Sequence, residues 1–259
     1  MPSKLRIAAM LLASSAPFCG AVGAQTAVEQ LARPPSSATH YVIQSTGIKH
    51  GDAWLWSQGG TRMARESWIL RGQVFEFDST ARAGADGMPA SLQIRGFSPQ
   101  GDAAETFTIA NGRASWKSPV DSGGAAYQRP AFYSTQGGPI DNTAWFLERL
   151  LASPGHAMKL LPGGEARAGK LTTLWVGSGA TRQEVTAWAV TGVSNAPIPM
   201  WSDAKGRFFG FVYFLSWLPE AYAGEHSRLN EAQNTALAAR APAPPSPRAR
   251  SSSTAAARR

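Results

Sequence analysis

The sequence of 259 residues contains one cysteine, Cys19, and it falls in a leader that export would remove. A mature chain without it has no disulfide and no thiolate site, so its stability must come from packing. After the leader, no stretch is long and apolar enough to cross a bilayer, so no transmembrane segment is expected. Histidine is scarce and scattered. His40, His50, His156 and His226 form neither His-x-His nor His-Glu-x-x-His spacing, and each reads as a surface or loop residue. Neither a Gly-x-Ser-x-Gly elbow nor a phosphate-cradling glycine loop occurs. Ser202 and Lys205 match a Ser-x-x-Lys nucleophile pattern, but that pattern needs a helix start and here it falls in a turn. The carboxylates Asp78, Asp86, Asp102, Glu105 and Asp121 are scattered among expected turns, where Asp is favoured for backbone reasons alone. No catalytic, cofactor-binding or metal-binding residue is therefore assigned, and no cofactor is implied.

Excess charge is missing too, once the ends are set aside. The formal net charge is +8, but Lys4 and Arg6 lie in the leader, and Arg240, Arg248, Arg250, Arg258 and Arg259 lie in the last stretch. The body keeps eighteen basic against seventeen acidic residues, about +1, and so offers no electrostatic footprint for nucleic acid.

What is present begins with that leader. Lys4 and Arg6 form a positive start, residues 7–19 are mostly apolar, and Val22, Gly23 and Ala24 offer small residues for cleavage. Residues 1–24 read as a secretory signal peptide, so the expected location is periplasmic or extracellular after cleavage near Ala24. Residues 25–37 read as a linker with one short helical turn before Pro34 and Pro35.

From residue 38 the chain has a rhythm of short strands with turn residues between them. Strands are expected at 41–45, 53–57, 66–70, 73–77, 92–95, 105–109, 114–117, 171–176 and 184–190. Gly51-Asp52 and Gly59-Gly60 read as turns, and Asn111-Gly112 is the strongest hairpin signal. One clear helix, 141–152, has Asp141 as its expected N-cap and an apolar stripe of Phe146, Leu147, Leu150 and Leu151, with Ser153-Pro154-Gly155 as its stop. It is apolar over much of its surface, so it should lie buried on a sheet, with Trp145 and Phe146 in the core.

The densest aromatic stretch follows Trp201-Ser202-Asp203. Asp203 and Gly206 shape a turn between strands at 198–201 and 208–215, with Phe209, Phe211 and Tyr213 expected on one face. Residues 227–239 then have helical composition, with Leu229, Ala232, Gln233, Ala236 and Leu237 on one side. The tail, 240–259, holds only Arg, Ala, Pro, Ser and Thr, and is expected to be disordered. Together these features predict a mainly β (α+β) fold: residues 38–226 form a curved antiparallel sheet or open half-barrel packed on one main helix.

The order of motifs resembles a known arrangement. Asn111-Gly112-Arg113-Ala114-Ser115-Trp116, Phe132-Tyr133, the helix ending in Leu150-Leu151, residues 160–166 and Trp201-Ser202-Asp203 with Gly206 and Phe208-Phe209 carry it. It looks like the N-terminal β-rich domain of exported bacterial amidohydrolase-family proteins, over about residues 38 to 239. That resemblance implies a non-catalytic accessory domain, with a metal-dependent hydrolase barrel as its partner in relatives. The barrel's His-x-His and other metal ligands have no counterpart here, and a (β/α)₈ barrel needs some 200 residues of its own. A frameshift near codon 240 is the simplest expectation for the tail. The alternative is a periplasmic binding or carrier module that holds an apolar ligand on its half-barrel sheet.

Overall fold

The computed structural model describes residues 26–127 and 130–240. The expected signal peptide, and the expected disordered tail apart from Arg240, lie outside the described residues. The chain begins with a short 3₁₀ turn, Val28–Gln30, and then strands β1 (Thr39–Ser45), β2 (Ile48–Gln58), β3 (Thr61–Leu70), β4 (Gln73–Ala83) and β5 (Pro89–Ser98). Shorter strands follow: β6 (Gly101–Asp102), β7 (Glu105–Ala110), β8 (Arg113–Lys117), β9 (Ser122–Ala126) and β10 (Ala131–Tyr133). Helix α1 (Asp141–Ala152) leads to β11 (Ala157–Leu161), β12 (Glu165–Val176), β13 (Gln183–Thr191), β14 (Ile198–Asp203), β15 (Phe208–Val212) and β16 (Ser216–Pro219). Helix α2 (His226–Ala238) follows.

All of these strands belong to one sheet, ordered β10-β11-β12-β13-β14-β15-β16-β1-β2-β3-β4-β5-β7-β8-β9, with β6 beside β5. Only the β10–β11 pair is parallel among the described ladders. The sheet is open, and among the described residues no ladder joins its edges β9 and β10. Yet only four residues lie between Ala126 and Ala131, five steps along the chain and a reach of at most about 18 Å. The sheet must therefore curl until its two edges approach. A contact across the opening agrees with this: Tyr133 of the edge strand β10 stacks at 4.3 Å on Phe107 of β7, the third strand in from the other edge. The expected curved antiparallel sheet around one helix is the observed architecture.

Two positions let the sheet bend. A Cβ on Gly51 would sit 2.1 Å from the Ser67 carbonyl oxygen and 2.5 Å from the Trp68 backbone, so β2 and β3 approach there as only glycine allows. Gly96, with φ of +121°, would place a Cβ 1.9 Å from the Glu76 carbonyl oxygen, which bends β5 against β4. Gly51 is thus a mid-strand residue of β2, not the turn its sequence suggested.

Helix α1 fills the concave side. Leu147 and Leu150 have no exposure, and Trp145 and Phe146 are buried against Phe132 with ring centroids at 5.7 and 5.5 Å. Each such side chain contributes about 1.5–3 kcal/mol by burial, which holds the helix inside the curl. Asp141 does not cap the helix as expected. Its carboxylate accepts from Arg62 at 2.7 and 3.2 Å, and it is the first helical residue.

Helix α2 lies on the convex side, where Leu229 joins Val176, Val185, Trp201, Phe209, Val212 and Leu218 in a second core. Gln233, fully buried, accepts from the Trp201 indole at 2.8 Å and donates to the Val212 carbonyl at 2.7 Å. The β14–β15 hairpin forms as read, with Asp203 Oδ1 accepting from the N–H groups of Lys205 and Arg207 at 2.9 Å. The expected single face of Phe209, Phe211 and Tyr213 is not found. The register shifts at Trp201/Ser202, so Phe209 is an extra, bulged residue. Phe208 and Phe211 consequently face the inner core, Phe209 faces the outer one, and Tyr213 is exposed beyond the strand end.

Candidate functional site

At the end of the curl where α1 begins, the sheet leaves a cleft of about 730 Å³. One arm of the sheet supplies β3, β4 and the start of β7, and the other supplies β14, β15 and β16. The volume suits a small organic ligand.

The wall is a continuous series of rings. Phe77 meets Phe75 at 6.4 Å, Phe75 stacks on Trp68 at 3.7 Å, Trp68 meets Trp217 edge-on at 6.1 Å, and Trp217 meets Phe211 at 5.7 Å. Strand register explains the series. Trp68 pairs with Phe75 across β3–β4, and Phe211 pairs with Trp217 across β15–β16. Between the two tryptophans, the row is completed by Ile43 of β1 and Gly51 of β2. The missing side chain at Gly51 leaves room for Trp68 and Trp217 to lean together over the gap.

Two carboxyls lie among these rings because the pleat turns them inward. On β3, Ala64, Glu66 and Trp68 share the inner face, and on β7 Glu105 shares it with Phe107. Glu66 is 2% exposed. Its Oε1 accepts from the Trp68 indole N–H at 2.9 Å, and its Oε2 accepts from the Ile140 N–H at 2.9 Å, just ahead of α1. Burial pushes its pKa up to about 7, opposed by the Ile140 N–H, by the nearby indoles and by Arg65. The Trp217 indole N–H lies toward this carboxyl without completing a hydrogen bond of regular geometry. Glu105 is also buried and also raised by burial, but its oxygens are occupied by the Tyr133 hydroxyl at 2.8 Å and the Gln136 N–H at 3.0 and 3.2 Å.

Behind the ring wall, charged residues on the outer face of β3, β4 and β5 pair with one another. Arg65 donates to Glu76 and to the Phe77 carbonyl, and Arg95 donates to Asp78. Asp78 and Glu105 are therefore buried strand residues, and not the turn acids their sequence suggested. A second cavity of about 510 Å³ lies near Arg62, Asp141 and Glu148, whose charges are already bonded to one another.

Of the residues weighed from sequence, Ser202 lies in β14 and accepts from the Trp188 indole at 2.9 Å, and Lys205 lies in the following turn. The four histidines stay apart. His40 stacks on Trp54 at 5.5 Å and bonds to Asp52, while His226 is buried rather than superficial and contacts Ser216. Among the described residues, no group of three His, Cys, Asp or Glu side chains is placed to hold a metal ion, and no helix is long and apolar enough to cross a membrane.

Glu66 was the residue that sequence reasoning missed. The signal was available: in a strand of period two, an acid stands on the same face as Ala64 and Trp68. No protein-family model, curated protein or solved structure matches this chain.

Proposed function

We propose that this chain is a non-catalytic binding module that holds an apolar ligand in the cleft at the start of α1. The observation that carries the reading is the ring wall from Phe77 to Phe211, continuous along one side of a cavity of about 730 Å³. Aromatic rings in a core are normally covered by other side chains, and a row of this length, with Trp68, Phe75, Phe211 and Trp217 only half-buried along the cleft, matches an apolar occupant. The test is binding of the neutral dye Nile red. Its emission should rise on mixing with the protein, and Trp217→Ala should weaken the rise at least fivefold. Emission unchanged by the wild-type protein would overturn the reading.

A second reading rests on Tyr213 and Phe214. Both rings are exposed, at 57% and 68%, and meet each other at 5.7 Å in the turn after β15. Such a pair supports an inter-domain or partner contact, as an accessory domain of an exported amidohydrolase-type enzyme would make. That domain would be non-catalytic by itself. Metal-dependent hydrolysis by the purified chain, abolished by a chelator, would contradict it.

A further inference from the structure

We infer that the ligand of the aromatic cleft is an apolar amine, with its hydrophobic body on the ring wall and its protonated nitrogen against the Glu66 carboxylate. The inference rests on the reading of the cleft as a binding site, and adds the charge of what binds there.

The first support is the sign of the lining. Among the described residues, Glu66, Asp102 and Glu105 line the cleft, and no lysine, arginine or histidine does. The second is the bonding of Glu66. Among the described residues it receives only neutral donors, the Trp68 indole and the Ile140 N–H, and none of them places a cation against its ionised form on the cleft side. A carboxylate oxygen accepts more than one hydrogen bond, so capacity remains for an ammonium.

The charged groups around Glu66 are otherwise engaged. Arg65, next on β3, turns to the outer face and bonds to Glu76, the Phe77 carbonyl and the carbonyl of Glu66 itself. Arg62 stands four residues earlier on β3, about 13 Å along the strand, and is held by Asp141 and Glu148. From β4 and β16 the neighbours are Phe75, Phe77 and Trp217, from the start of α1 Ile140 and Thr143, and from β7 Glu105. Glu105 adds negative field but is occupied by Tyr133 and Gln136. Asp102 is exposed at the rim, where it attracts cations on approach.

The third support is the rings. Indole and phenyl faces attract a cation through their quadrupole, and Trp68 and Trp217 both stand beside Glu66. An ammonium in that corner meets a carboxylate and aromatic carbon together, which neutral and anionic ligands do not exploit. Such a cation also favours the ionised carboxyl, whose pKa burial has raised to about 7. Amine affinity should therefore fall about tenfold per pH unit below 7.

The experiment is calorimetric titration of the full chain with octylamine, octanol and octanoate, chain-length isosteres of different charge. At pH 8 octylamine should bind at least tenfold tighter than octanol, with octanoate weakest. The preference should vanish at pH 5.5 and in Glu66→Gln, which still accepts the Ile140 N–H. Equal binding of octylamine and octanol at pH 8, or tighter octanoate, would overturn the amine while leaving the cleft reading intact. Failure of all three ligands together with Nile red would overturn the cleft reading itself. Should Glu66→Gln not fold, the wild-type pH profile decides: an octylamine affinity flat from pH 5.5 to 8 refutes the inference.

Discussion

Glu66→Gln should change how the stability of this protein depends on pH. Glu66 is 2% exposed, and its pKa in the folded chain is raised from 4.5 to about 7 by burial. In the unfolded chain it returns to the ordinary value. Between pH 4.5 and 7 the native state therefore holds a proton that the unfolded state has released, so stability falls as pH rises. The contribution is fully present below about 4.5 and is lost by the time pH has passed about 7. The displacement corresponds to about 3 kcal/mol, at about 1.4 kcal/mol per pH unit. The glutamine side chain is neutral throughout and lacks this slope. Glu105 has the same sign of displacement but is present in both proteins, so it cancels in the comparison. Urea unfolding at half-unit steps from pH 4.5 to 8 should show wild type losing about 3 kcal/mol relative to the variant. The absolute level of the variant is less informative, because glutamine offers one acceptor where the carboxylate offers two. A difference that stays flat within about 0.5 kcal/mol would refute the buried, cation-free setting assigned to Glu66.

Three further outcomes are expected. Gly51→Ala should destabilise by about 3 kcal/mol in urea unfolding, because its Cβ would lie 2.1 Å from the Ser67 carbonyl oxygen; a loss under about 1 kcal/mol would mean that β2 and β3 do not approach so closely. Gln233→Leu should cost about 3 kcal/mol by leaving the Trp201 indole N–H and the Val212 carbonyl unpaired beneath α2, and a neutral result would remove that pair of hydrogen bonds from the account. His226 should titrate below its ordinary 6.5 in an NMR pH series, since burial disfavours its charged form. Its contribution to stability is thus present above pH 6.5 and lost as pH falls through the lower folded value. A midpoint at or above 6.5 would contradict its buried position.

Much of the fold was legible because local chemistry and tertiary packing agree. Asn111-Gly112 forms its hairpin, and the stripe of Phe146, Leu147 and Leu150 puts α1 in the core. The reading failed where tertiary context overrode local signals. Gly51 suggested a turn, but it serves the close approach of two long strands. Asp141 suggested a cap, but Arg62, distant in sequence, takes its carboxylate. The bulge at Phe209 cannot be seen in a list of aromatics, since one extra residue reverses which faces they take.

The site was only half legible. Aromatic density near Phe211 and Trp217 was plain, but its continuation through Trp68, Phe75 and Phe77 depends on the strand order β15-β16-β1-β2-β3-β4. Glu66 escaped notice because acids in a β-rich sequence are ordinarily turn or outer-face residues. Only its parity with Ala64 and Trp68 gives it away.

The most direct test of the central claim is the response of indole N–H signals when Nile red is titrated into the protein. Of the nine tryptophans, Trp68 and Trp217 line the cleft, whereas Trp201 is bonded to Gln233 beneath α2. Assigned spectra should show the Trp68 and Trp217 signals moving while Trp201 stays in place. Shifts confined to Trp201, or no indole shift at saturating dye, would contradict a ligand site at the start of α1.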